Sequence, residues 1–189
     1  KDSVNEKSNQ KNIGVIKSSN LCAEIVEYSE KGETAVCNLA SIALPKFVKE
    51  DKSFDYQSLY ETAKLATKNL DRVIDINFYP TEKTSKSNNL HRPIGLGIQG
   101  LSDVFFLMGI PHDGEIAKDI NIKIFETIYF GSVESSMELA KEKEPYSTFK
   151  GSPISEGKFQ FDLWNTQPSK MWDWEKLRKQ VIEHGVRNS

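Results

Sequence analysis

Asn20, Cys22 and Glu24 stand at i, i+2 and i+4 near the start of the chain. In an extended backbone successive side chains alternate faces, so an amide, a thiol and a carboxylate project together while Leu21 and Ala23 face the other way. Such a set suits nucleophilic or radical chemistry at sulfur, proton transfer at the carboxylate and orientation of a hydroxyl by the amide. An ordinary strand edge with a buried Cys has the same spacing.

Cys37 lies fifteen residues beyond Cys22, and both are equidistant from the turn-rich stretch Ser29-Glu-Lys-Gly32. A symmetrical hairpin would bring the two sulfurs near each other. Two unrelated buried thiols, a cross-strand disulfide and two separate redox roles all fit that spacing. Zinc does not, because two Cys with no nearby His leave too few ligands. Gly95-Leu-Gly-Ile-Gln-Gly100 fits GxGxxG, but the dinucleotide fingerprint also needs an acidic residue about 20 positions later at the end of a strand. Asp119 falls in a helical pattern instead, so close packing of a glycine-rich strand is the stronger reading. A dinucleotide-binding oxidoreductase built on Gly95 to Gly100 is the alternative. His91, His112 and His184 sit in polar boundary segments and are expected at the surface or at caps.

The elements that must position these groups follow from periodicity. Residues 1–12 are polar and aperiodic, which predicts a loop. Residues 24–28 and 34–39 carry short β-branched stretches around a turn, a hairpin signature. Apolar residues at 56, 59, 60, 63, 66, 70, 73 and 74 predict an amphipathic helix over 55–76, with Ser53 or Asp55 as N-cap. A polar loop is expected over 79–92, then a buried strand over 93–98 and a short helix over 100–108. Ile116, Ile120, Ile124, Ile128 and Val133 predict a long helix over 115–142. An irregular stretch over 144–170 and a last short helix around Trp174 to Ile182 complete the chain. Phe159, Phe161, Trp164, Trp172 and Trp174 read as an aromatic lid over the long helix. Strands alternating with helices argue for an α/β architecture with parallel pairing. A non-enzymatic helical interaction module is the alternative from a different class.

Composition limits the partners. With 25 basic and 27 acidic residues interleaved over 189 positions, there is no broad cationic surface for nucleic acid. The longest nearly unbroken apolar run, Val104 to Ile110, is seven residues, where a membrane span needs about 20. The first 20 residues contain no signal-like apolar stretch. Two Cys in a chain this size fit a reducing compartment such as the cytoplasm.

Four ordered blocks then carry a resemblance: Ser19-Asn-Leu-Cys-Ala-Glu-Ile-Val-Glu-Tyr28, Ala35-Val-Cys-Asn-Leu-Ala-Ser41, Asp75-Ile-Asn-Phe-Tyr-Pro80 and His91-Arg-Pro-Ile-Gly-Leu-Gly-Ile-Gln-Gly-Leu101. Together with Phe125-Glu-Thr-Ile-Tyr129, Gly151-Ser-Pro153, Trp172-Asp-Trp174 and Arg187-Asn-Ser189, they closely resemble the large, catalytic subunit of class I ribonucleotide reductases of the eukaryotic and viral type. The resemblance runs along the whole chain, in order. It implies that residues 1–189 are an internal fragment of the family's ten-stranded α/β barrel, with no complete separate domain.

The resemblance also implies roles. Cys22 matches the radical-bearing cysteine at the tip of a finger loop, Glu24 the catalytic carboxylate and Asn20 the substrate-binding amide, with Asn20, Leu21, Cys22 and Glu24 forming the substrate-contacting stretch. Cys37 matches one of two thiols that become a disulfide during turnover, which implies separate roles for Cys22 and Cys37. The implied substrate is a ribonucleoside diphosphate, reduced to the 2′-deoxyribonucleotide for DNA synthesis. The implied partners are a small radical-generating subunit with a di-iron tyrosyl radical, thioredoxin or glutaredoxin, ATP/dNTP effectors and further large subunits in a homo-oligomer. No metal or cofactor site is expected in this chain, nor a nucleic-acid or membrane partner. The matching partner thiol for Cys37 is not among its residues, so the isolated chain is expected to be inactive.

Overall fold

The computed structural model describes residues 2–20, 23, 26–36 and 38–189. Its described elements run α1 (Asp2–Lys7), β1 (Leu39–Ala43), α2 (Tyr56–Ile76), α3 (Glu82–His91), β2 (Gly95–Gln99), α4 (Leu101–Met108), α5 (Glu115–Lys143), α6 (Gln160–Leu163) and α7 (Trp174–His184). Short 3-10 turns cover Leu44–Phe47 and Pro153–Glu156.

The amphipathic pattern over 55–76 becomes α2, started by Asp55, whose carboxylate accepts from the Ser58 N–H at 3.0 Å. Its buried residues include Leu59, Ala63, Leu70 and Ile74, the three-and-four spacing that places one stripe against a partner. That partner is α5. Gly131 allows the close approach, since a Cβ there would stand 3.0 Å from the Tyr60 carbonyl oxygen. At the rim of the contact Lys64 pairs with Glu134 at 3.0 Å and Glu138 at 2.6 Å. Such partly exposed pairs contribute at most about 1 kcal/mol each, so burial of the α2 and α5 stripes is the main stabilising term.

Strands β1 and β2 pair in parallel, Leu39 opposite Gly95 through Ala43 opposite Gln99. Parallel strands need a long crossover, supplied here by α2 and α3. The α/β expectation with parallel pairing therefore holds, but the described residues form a two-stranded sheet. Two apolar clusters lie along α5. One joins Ile42, Leu44, Leu59, Val104 and Ile124, and the other Phe130, Met137, Phe159, Trp174 and Val181. Of the predicted aromatic lid, Phe159 and Trp174 are buried on α5, whereas Trp164 is exposed. Among the described residues no helix is long and apolar enough to cross a membrane.

Several expectations need correction. The polar stretch over 79–92 is not a loop, because Thr81 and Thr84 form a capping box that starts α3. Residues 2–7 form a helix with no buried residue. Among the described residues of the expected hairpin over 24–39, a tight turn is present in which Glu30 and Glu33 exchange backbone hydrogen bonds at 2.9 and 3.3 Å; residues 24, 25 and 37 lie outside the description. The strand over 95–99 is half-buried rather than buried. His91 is not a surface residue: it is 2% exposed.

Candidate active site

Of the sequence-predicted site residues, Leu21, Cys22, Glu24 and Cys37 lie outside the described residues, and Asn20 lies within them. The Ala23 N–H donates to the Asn20 carbonyl at 3.2 Å, and Ala23 adopts a left-handed φ of 65°. An L-residue there costs roughly 1–2 kcal/mol. Ala23 is thus strained, while Leu21, Cys22 and Glu24, whose side chains the alternation concerns, lie outside the described residues.

Asn20 lines a cavity of about 200 Å³ together with Ser18, Ser19, Glu27, Ser29 and Thr34. This is smaller than the roughly 300 Å³ at which small-molecule pockets begin, and its described lining is mostly polar. Glu27 also lines a second cavity, of about 540 Å³, whose wall includes Lys7, Gln10, Ile94 and Ser189. Burial pushes the Glu27 carboxyl up to about 8, so this group holds its proton at neutral pH. A protonated carboxyl can donate a hydrogen bond as well as accept one.

Neighbouring segments are tied to this region through side chains. Gln10, buried in the turn after α1, accepts from the Tyr28 N–H at 2.8 Å and donates to the Ser189 hydroxyl at 3.0 Å. Asn188 is fixed in turn: Ser136 donates to its Oδ1 at 3.0 Å, and its Nδ2 donates to Asp71 at 3.1 Å and to the Arg92 carbonyl at 3.2 Å. Arg92, itself left-handed at φ 48°, reaches Asp71 and Asp75 from the end of α3.

On the Cys37 side, Asn38 donates to Asn88 Oδ1 at 2.8 Å and to the Pro93 carbonyl at 2.9 Å. Glu33 lies 3.3 Å from His91 Nε2, and His91 Nδ1 lies 2.8 Å from the Thr148 hydroxyl. Burial lowers the His91 imidazole, against the opposing pull of Glu33. Sequence reasoning missed Gln10, Glu27, Glu33, Asn88 and His91. Their only advance signal was polar residues at positions that a helix or turn would bury.

The glycine motif is a packing device. Gly100 caps α4 at φ 76°, and a Cβ there would stand 2.8 Å from the Pro45 ring. The space beside the strand-to-helix turn is filled by protein. Among the described residues no three His, Cys, Asp or Glu side chains stand together as metal ligands.

A family model described as "Ribonucleotide reductase, barrel domain" matches residues 1–189. The chain is similar to the ribonucleoside-diphosphate reductase large subunit of Acanthamoeba polyphaga mimivirus, 57% identical over 195 residues that cover 100% of this chain and 22% of that protein. It is 54% identical to the large subunit of Caenorhabditis elegans, covering 100% of this chain and 24% of that protein. Large chain 2 of Saccharomyces cerevisiae is 55% identical, with 100% and 22% covered. The chain thus spans between 22% and 24% of these relatives.

Proposed function

Since the chain belongs to the ribonucleotide reductase barrel-domain family, we propose that it is the part of a ribonucleoside-diphosphate reductase large subunit that carries the radical cysteine, Cys22, on a finger loop of a ten-stranded α/β barrel. Residues 1–189 form one piece of that barrel rather than a separate domain. The observation that carries the reading is the match of the barrel-domain family model from residue 1 to residue 189, beside the 54–57% identity to large subunits along the whole chain.

In the proposed cycle a thiyl radical at Cys22 takes the 3′-hydrogen atom of a ribonucleoside diphosphate. Glu24 accepts the 3′-hydroxyl proton, which assists loss of the 2′-hydroxyl as water, and Asn20 holds the sugar hydroxyls in register. Leu21 completes the substrate-contacting stretch. Cys37 and a second thiol outside this sequence supply two electrons and two protons and close to a disulfide. Return of the 3′-hydrogen restores the Cys22 radical. The net change is one ribonucleotide and one dithiol to one deoxyribonucleotide, one disulfide and one water. A dithiol such as thioredoxin or glutaredoxin reopens the disulfide, and this need for a reducing milieu supports a cytoplasmic setting.

The oxidising equivalent at Cys22 is assigned to a separate small subunit with a di-iron tyrosyl radical, and ATP/dNTP effectors and large-subunit oligomers to the complete assembly. Replacing Cys22 by Ser in the complete large subunit tests the reading. Abolished turnover with nucleotide binding retained is expected, and retained turnover overturns it.

A further inference from the structure

We propose that α3 is a positioning platform for the segment that carries Cys37, with Asn88 and His91 as its two positioning residues; the proposal rests on the redox reading of Cys37. α3 spells Glu-Lys-Thr-Ser-Lys-Ser-Asn-Asn-Leu-His, yet it buries Thr84, Ser87, Asn88 and His91. Polar groups are costly to bury unless they are hydrogen-bonded. A helix that turns such a face inward is held by directional partners, and those partners show what it fixes.

The partners lie on both sides of Cys37. On the C-terminal side, Asn88 Oδ1 accepts from Asn38 at 2.8 Å, Asn88 Nδ2 donates back to Asn38 Oδ1 at 3.3 Å, and Asn88 Nδ2 also reaches the Tyr79 hydroxyl. The Asn38 carbonyl accepts from the Gly95 N–H at 2.9 Å, where the β1–β2 ladder begins. On the N-terminal side, the Thr34 N–H donates to the Lys83 carbonyl at 3.2 Å, and Glu33 meets His91.

A carboxylate only accepts, so His91 donates from Nε2 to Glu33, and its neutral Nδ1 accepts from the Thr148 hydroxyl. Glu33, His91, Asn38 and Asn88 are all under 5% exposed. Glu33 and Thr34 on one side of Cys37, and Asn38 on the other, are therefore anchored to one helix and to the chain leaving it. Flanking residues held in this way favour a thiol that must reach a radical intermediate and a second thiol in sequence, because misplacement by about 1 Å can cost up to 10²-fold in rate.

The test uses the complete large subunit carrying this sequence, with its small subunit and a dithiol reductant. Cys37→Ser comes first. Loss of turnover upholds the redox reading, whereas retained turnover refutes that reading itself, whatever α3 does. Asn88→Ala and His91→Ala are then compared in a single turnover of pre-reduced enzyme, with disulfide formation at Cys37 read by alkylation and mass spectrometry. The expected result is a fall of roughly 10- to 100-fold in that rate. KM for the nucleoside diphosphate should stay within about 2-fold, the pattern of a group that acts after substrate binding. His91→Gln, which keeps an amide donor for Glu33, should recover most of the rate.

Folded variants that form the disulfide at the parent rate overturn the platform, even if their melting temperatures fall. Should the alanine variants not fold, Thr148→Val removes one hydrogen bond at constant volume and carries the same comparison. A loss of about 3-fold or more at unchanged KM then supports the proposal, and the parent rate refutes it.

Discussion

Arg92 grips Asp71 through two nitrogens on a single carboxylate oxygen, Nε at 3.0 Å and NH2 at 2.8 Å from Oδ1. Asp71 is fully buried and Arg92 nearly so. The other oxygen, Oδ2, has Lys143 at 3.6 Å. Removing one member of a buried pair costs up to about 3–5 kcal/mol, an upper value here because Lys143, and Arg187 at 3.7 Å from Oδ1, still face Asp71. Arg92→Leu is therefore expected to destabilise the chain by up to that amount in urea denaturation followed by tryptophan fluorescence. Asp71→Leu combined with Arg92→Leu should cost less than the two single changes together. Additive losses would show that the pair is not coupled.

Glu27 sets a pH dependence of definite sign. The folded carboxyl titrates at about 8 from a reference of 4.5, so between those values the folded chain holds a proton that the unfolded chain has released. Stability rises with pH only where the unfolded state binds more protons. Here it binds fewer: the contribution is complete below about pH 4.5 and is lost as pH rises through 8. Glu27→Gln, which keeps the neutral shape, should flatten the decline of stability between about pH 5 and 8. Parallel pH profiles for the two proteins would sink the assignment.

Gly97 and Gly100, two of the three glycines in the Gly95 to Gly100 stretch, should respond differently to a methyl group. At Gly100 the positive φ and the Pro45 ring 2.8 Å away both oppose a Cβ. Gly100→Ala is expected to cost about 1–3 kcal/mol. At Gly97 a Cβ meets nothing closer than the Ser41 hydroxyl at 3.7 Å, so Gly97→Ala should stay within about 0.5 kcal/mol of the parent. Equal losses at both positions, read by thermal denaturation, would contradict the packing account.

These contrasts show what was legible in the sequence. Helix α2 was readable to its cap because its buried stripe is apolar and Asp55 stands where the first turn needs an acceptor. The long α5 was readable from its apolar period, and the strand over 95–99 was readable in place but not in its degree of burial. Helix α3 was not, because Thr84, Ser87, Asn88 and His91 form a buried face with no hydrophobic period. The capping pair Thr81 and Thr84 was its one local signal. The left-handed φ of Ala23 left no trace in the sequence, because an alanine there goes against residue preference. The proposed roles of Asn20, Cys22, Glu24 and Cys37 came from ordered resemblance, since spacing alone left the alternatives open. The parallel pairing of β1 with β2 was legible only as a fold class and not in its register, because pairing between distant strands leaves no local pattern.

Helix α5 has a consequence for how the molecule comes apart. Its 29 residues extend about 43 Å at 1.5 Å per residue. Ala117, Ile120, Ile124 and Ile128 enter one apolar cluster, while Phe130, Val133 and Met137 enter the other. A single unbroken rod therefore threads both, with Gly131 seated against α2 close to where one cluster gives way to the next. Fraying in one half removes the backing of the other, which couples the melting of the sheet end to that of the aromatic end and makes their loss a shared, cooperative event.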